Sequence, residues 1–282
     1  MPETTHELRV RAVATGTGGF EGRYITPSPI GHASETDEAY LPLSSSHIPD
    51  RIRQLAAGIA HDYNNLFTSM LCGAGMALEN LAPDHPARPA LEIASGAVQR
   101  AAELTRQLMA YAGISSFVVS HVDLSALVRN VVGSCHPSIP RSVRLRLDLA
   151  ANLPLLQADT GQVELLVNAL LQNAVEAISD AAGVVSVRTY AGRAGNITPP
   201  RAGTYIHMEV SDTGCGMDET TKSRIFEPFF STKFLGRGLG LAAVAGIVRT
   251  HRGTIEVLGA PGSGTTFHVC LPVGAPGSKA CD

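Results

Sequence analysis

From about residue 47 to 82, apolar residues recur mostly at three- and four-residue steps: Ile52, Ala56, Ile59, Tyr63, Leu66, Met70 and Ala77. That spacing predicts a helix with one packed face. The stretch APDHPARP (82–89) ends it, because proline lacks an amide donor and clashes with the preceding turn. A second helical run follows, with Ala97, Ala101, Leu104, Leu108 and Tyr111 on one stripe, and Gly113 stands where a C-cap belongs. Two long helices with a short connection predict an antiparallel hairpin. One hairpin cannot bury both stripes, whereas two copies can do so as a four-helix bundle. Residues 47–115 are therefore expected to form a homodimer.

Beyond about residue 120 the pattern turns mixed. SVRLRLDLA (142–150) alternates strictly, with Val143, Leu145, Leu147 and Leu149 on one face. VVSVRTY (184–190), TYIHMEVSD (204–212), GTIEVLG (253–259) and GTTFHVCLPV (264–273) read as further strands, and GQVELLVNALLQNAVEAI (161–178) as a helix. The fold class is α+β: a dimerising helical hairpin, then an α/β sandwich over 120–275 whose mixed sheet carries helices on one face. Residues 1–46, rich in Gly, Pro, Ser and Thr with little periodicity, read as a flexible N-terminal leader or linker, with one short strand pair as the alternative, and 276–282 as a tail.

Composition narrows the setting. With 282 residues and 44% apolar content the chain can build two domains, and a net charge of −3 does not suggest a dedicated nucleic-acid binder. Five scattered cysteines with no CxxC pair speak for a reducing compartment and against a disulfide framework or zinc site. No apolar run approaches the roughly 18–20 residues of a membrane helix. No signal-peptide pattern opens the chain. The expectation is a cytoplasmic protein with no membrane span.

Four places carry candidate chemistry. In AAGIAHDYNNLF, His61 lies about 160–200° around the helix from Ile59 and Tyr63, towards solvent. Asp62 borders it, and Asn65 sits one turn above. An exposed imidazole beside a carboxylate can act as a nucleophile, although a surface histidine with polar neighbours is the plainer reading. SDTGCGM (211–217) puts Asp212 at a strand end before Gly214 and Gly216, where a carboxylate can meet an exocyclic amine. The plainer reading is strand-to-turn punctuation. FLGRGLGLAAVAGIV (234–248) opens an apolar helix with Gly236, Gly238 and Gly240, so backbone amides can face phosphate oxygens. It fits neither a P-loop nor a dinucleotide fingerprint, and a generic turn is its alternative. On helix 161–178 the apolar stripe leaves Asn173 and Glu176 on a flank, and an amide oxygen is a suitable ligand for Mg²⁺.

In this order the motifs resemble the histidine kinases of two-component signalling, over about residues 47–275. HDYNN resembles the phospho-acceptor box, GQVELLVNALLQNAVEAI the N box, and DTGCGM the first glycine box. IFEPFFSTK (225–233) resembles the phenylalanine box, GRGLGLAAVAGIVRTHRG (236–253) the second glycine box, and GSGTTF (262–267) the last. The ATP-binding domain of those kinases belongs to a wider group shared with gyrase, heat-shock chaperone and mismatch-repair ATPases. The resemblance implies ATP and Mg²⁺ as ligands and a response-regulator receiver domain as partner. It implies that Asp212 binds adenine with Gly214 and Gly216 shaping the turn, and that Thr265 supports adenine through a water. It further implies that Asn173 holds Mg²⁺, that Lys233 neutralises phosphate, and that Gly238 and Gly240 admit the backbone beside it. His61 would attack the γ-phosphoryl with Asp62 as base or orienter, and Asp62 with Asn65 matches the pattern for dephosphorylating a partner's aspartyl phosphate. A lid over roughly 218–236 is expected to be mobile.

One position departs from the family. Four residues before Asn173 the family carries a polar residue, and here Ala169 stands there; Asn168 lies one residue earlier, about 100° round the helix. This raises an alternative: a degenerate kinase working as phosphatase, phosphorelay or dimeric scaffold. A gyrase- or chaperone-type ATPase would use a glutamate at Ala169 and leave the hairpin unexplained, as would a serine/threonine kinase built on this nucleotide fold.

Overall fold

Pro83 and Pro86 separate two long helices, α1 (Asp50–Asn80) and α2 (Arg88–Ala112), and Pro89 stands in the first turn of the second. This computed structural model describes residues 9–14, 20–25, 40–43, 50–113, 118–136, 139–179, 181–193, 204–233 and 238–274, with side chains from Asp62 onward. Arg88 covers the end of α1: its Nη1 donates to the Leu78 carbonyl at 2.6 Å and to Leu81 at 3.2 Å. Carbonyls left over by the last helical turn thereby find a donor. Gly113 closes α2 with φ 65°, the left-handed conformation expected of a glycine C-cap. Along α1, Tyr63, Leu66 and Met70 stay about half exposed within the single chain.

The chain divides into two compact units, Ile48–Ser116 on one side and Met1–His47 with Phe117–Asp282 on the other. The second unit is built on an eight-stranded sheet. Its strands are β1 (Arg9–Ala14), β2 (Phe20–Ile25), β3 (Tyr40–Leu43), β5 (Val143–Leu149), β7 (Gly183–Arg193), β8 (Thr204–Asp212), β9 (Thr254–Gly259) and β10 (Thr265–Pro272). They lie in the order β3-β2-β1-β9-β10-β8-β7-β5, and β5 and β7 run parallel while the other neighbours are antiparallel. A small ribbon of β4 (Ser120–Val122) and β6 (Leu156–Ala158) stands apart. Three segments within residues 1–46 are strands, added to the open edge of β9 through Val10↔Val257 and its neighbours. Three short strands, of which β1 alone reaches the sheet by pairing with β9 near the other end of the chain, leave little local pattern to read.

Strand alternation sorts the sheet into two faces. Val187, Val210, Phe267 and Val257 form one cross-strand row, and Thr189, Met208, Val269 and Ile255 the next; all are buried. On these rows pack α3 (Leu124–Cys135), α4 (Thr160–Ile178) and α6 (Gly240–Thr250), while the short α5 (Glu219–Arg224) follows β8 in the chain. Ser125 Oγ of α3 meets Thr189 Oγ1 at 2.8 Å. The opposite face carries Arg188, Glu209, His268 and Glu256 in register, beside Tyr190 and His207.

Each packed helix starts from an aspartate or glycine. Asp123 caps α3 by accepting from Ala126 N–H at 3.0 Å, and Asp159 caps α4 by accepting from Gln162 N–H at 3.0 Å. Buried His251, just after α6, ties these elements together. Its Nδ1 lies 2.9 Å from the Ile247 carbonyl, which can only accept, so Nδ1 carries the proton and Nε2 accepts from Asp159 N–H at 3.2 Å.

Candidate functional site

Asp212 ends β8 with its carboxylate buried. Its Oδ1 accepts from the backbone N–H of Gly214 at 2.8 Å and of Thr265 at 3.3 Å, so the first glycine turn and the start of β10 are pinned to one oxygen. Oδ2 is buried and has no hydrogen-bond partner among the described residues. A buried charged oxygen left unpaired is expensive, and a ligand donor at this point would relieve the cost. Burial raises the carboxyl above its ordinary 3.8, against the two amide hydrogen bonds and the Lys233 charge, which lower it.

The turn behind Asp212 admits only glycine at a key place. Gly216 has φ +66°, and a Cβ there would run into the Ala260 carbonyl oxygen. Gly238, with φ +63°, is held against the backbone of Phe229 and Phe230, and Phe229 N–H donates to its carbonyl at 2.9 Å. Any side chain at Gly238 would part the phenylalanine box from the second glycine box. Gly240 opens α6 directly, and a Cβ built on it lies 3.9 Å from the Ala169 Cβ. The N-terminal amides of α6 thus lie beside the middle of α4, where anionic oxygens are favoured. Gly236 falls outside the described residues.

Half-buried Asn173 occupies the same stripe of α4 as Ala169, one turn on, and Glu176 follows three residues later. Lys233 reaches that stripe: its Nζ donates to Glu176 Oε2 at 2.9 Å, while Gln172 Nε2 donates to Oε1 at 3.0 Å. Sequence reading placed Glu176 beside Asn173 but not opposite Lys233, since a contact 57 residues apart has no local signal. Asn168 points elsewhere, its Oδ1 accepting from Cys135 Sγ–H at 3.1 Å. Because α4 runs unbroken from Thr160 to Ile178, Asn168 does not replace the polar group missing at Ala169.

The structure thus gathers Asp212, Gly214, Gly216, Thr265, Asn173, Lys233, Gly238 and Gly240 within one unit, between α4, the glycine turn and the start of α6. His61 lies in α1, in the other unit, and its side chain is outside the described residues; Asp62 and Asn65, on the same helix, are exposed. Among the described residues no group of three or more His, Cys, Asp or Glu is placed to hold a metal, and no helix is long and apolar enough to cross a membrane.

Residues 158–275 match the family described as "Histidine kinase-, DNA gyrase B-, and HSP90-like ATPase". The chain is 32% identical over 277 residues to the sensor kinase CckA of Brucella abortus (strain 2308), covering 94% of this chain and 29% of that protein. It is 30% identical over 220 residues to the sensor histidine kinase ZraS of Escherichia coli (strain K12), covering 78% of this chain and 45% of ZraS. The chain therefore spans less than half the length of these relatives. In fold it resembles full-length ShkA solved in complex with AMPPNP, with a TM-score of 0.61 at 24% identity over 79% of this chain and 47% of ShkA.

Proposed function

We propose that this chain, which belongs to the sensor histidine kinases of two-component signalling, phosphorylates its own His61 from Mg-ATP and passes the phosphoryl group to an aspartate of a response-regulator receiver domain. The observation that carries the nucleotide half is the unpartnered, buried Oδ2 of Asp212, an acceptor aimed where an exocyclic amine would donate. Gly214 and Gly216 behind it let the turn pack directly on the backbone of Ala177 and Ala260, which holds that acceptor in place.

Phosphate groups would lie towards Gly238, Gly240 and the first amides of α6, within reach of Lys233. Asn173 is the residue that would hold Mg²⁺, which supplies charge neutralisation for the phosphates when bound. In this reading His61 is the nucleophile and Asp62 takes or orients its proton. Asp62 and Asn65 on the same exposed surface would also serve in dephosphorylating the partner. Tyr63, Leu66 and Met70 offer an apolar stripe that a second copy of the hairpin would cover, giving a homodimer through 47–115. ATP as phosphoryl donor places the reaction in the cytoplasm.

A second reading is favoured by one observation. Ala169 offers no polar group opposite Gly240, and Asn168 is engaged with Cys135. A chain that binds nucleotide through an intact pocket yet transfers phosphate slowly would act mainly as phosphatase, relay or scaffold. Replacing Asp212 by Ala tests the pocket common to both readings: binding of ADP should be lost in calorimetry, and unchanged affinity would sink the assignment.

A further inference from the structure

Two charged side chains of this pocket are already in contact. Lys233 at the end of the phenylalanine box gives its ammonium to Glu176 of α4 at 2.9 Å, and Gln172 fixes the other carboxylate oxygen at 3.0 Å. The pair is partly exposed, with side-chain exposures of 35% and 43%, so it contributes little to fold stability. Its consequence is electrostatic. Glu176 lies three residues from Asn173 on the stripe of α4 that also carries Ala169, the residue that faces Gly240 at the start of α6. The Lys233 charge also acts on Asp212 at the other end of the pocket.

We propose that Glu176 is a positioning and charge-setting residue of the nucleotide site, one that makes phosphate binding depend on a divalent cation. The inference rests on the nucleotide reading above. Glu176 holds Lys233 beside the phosphate-facing stripe, and in doing so cancels its charge. Among the described residues the pocket then offers a polyphosphate almost no net positive side chain, and a cation held by Asn173 would supply the missing charge. A carboxylate facing a diphosphate would also repel it directly, and partial solvent screening would not remove the repulsion. With Ala169 contributing nothing, Glu176 is the only acidic group among Ala169, Asn173 and Glu176 on that stripe.

The test is ADP affinity by calorimetry, with and without Mg²⁺ (chelator present), for the full chain and Glu176→Gln. The glutamine keeps the shape and loses the charge. Metal-free affinity should rise at least threefold in the variant, and the gain that Mg²⁺ confers should shrink by a similar factor, with the melting temperature nearly unchanged. Adding Lys233→Met to both proteins should give non-additive effects, because the lysine is what the carboxylate neutralises. An unchanged ratio between the two conditions, or weaker metal-free binding by Glu176→Gln, would overturn the inference. Asp212→Ala run in parallel separates the two questions: if it leaves ADP affinity intact, the pocket itself is wrongly placed.

Discussion

Replacing Asp212 by asparagine should do more than weaken adenine binding; it should turn the preference of the pocket towards a 6-oxopurine. In the native site Oδ1 is committed to the N–H groups of Gly214 and Thr265, and Oδ2 is the only free acceptor of the two. An amide has one oxygen. If that oxygen stays with the two backbone donors, an NH₂ replaces Oδ2 and confronts the adenine amine, donor against donor. If the amide flips, its NH₂ confronts the backbone N–H groups instead. Either way one buried hydrogen bond to a charged acceptor is lost, about 1.5–3 kcal/mol, which is roughly ten- to hundredfold in affinity. The 6-oxo group of inosine diphosphate, by contrast, would accept from the new NH₂, while it repels the native carboxylate. Calorimetry with ADP and IDP on both proteins measures the two ratios without turnover, and a thermal melt checks that the variant is folded. ADP affinity should fall at least tenfold, and the ADP-to-IDP ratio should fall further than ADP affinity alone. Equal losses for the two nucleotides, or ADP binding within twofold of wild type, would refute the assignment of Oδ2 to the purine 6-position.

Two other outcomes follow from buried histidines and an exposed stripe. Burial lowers the His251 imidazole below its ordinary 6.5, with the Ile247 carbonyl and Asp159 pulling the other way; burial and then the neighbouring His268 lower His207, against Glu209. Below about pH 6.5 the unfolded chain binds protons that the folded one refuses, so this stability is present above that pH and lost as pH falls towards the depressed values. Asp212, raised above 3.8, works in the opposite direction at lower pH, holding in the fold a proton that the unfolded chain has released. Melting temperature should therefore drop between pH 7.5 and 5.5, with a shallower slope for His251→Gln, whose amide can keep both hydrogen bonds without titrating; an identical slope would count against the neutral, bridging role of His251. In the hairpin, Leu66→Asp puts a charge on the exposed stripe and should convert a dimer to a monomer in light scattering, and an unchanged mass would remove that stripe from the interface.

The elements written in long, regular patterns were legible from residue spacing alone: the proline-split hairpin with its Gly113 cap, helix α4, and strands β7 to β10. Helix α3 was not. LSALVRNVVGSC is short, and although Leu124, Leu127, Val128, Val131 and Val132 share one buried face with Arg129 and Asn130 exposed, only the Asp123 cap marks its start. Strands β1 to β3 were missed because they are short and irregular in pattern, and β1, which joins them to the sheet, pairs with β9 at the far end of the chain. Alternation in β5 misled in part: Leu147 shares a face with Val143 yet stays exposed, because β5 is an edge strand. At the site, glycine spacing and Asp212 could be read one motif at a time, since backbone turns are local. The Lys233–Glu176 contact could not, because only the fold brings the phenylalanine box to the N-box helix.

The central claim is that His61 takes a phosphoryl group from the nucleotide bound at Asp212. It is tested most directly by incubating the chain with γ-labelled Mg-ATP, wild type beside His61→Gln, with nucleotide binding of both measured separately. The account predicts acid-labile label on wild type and none on the variant, at equal ADP affinity. Label persisting on His61→Gln would contradict it, and would place the acceptor elsewhere in the chain.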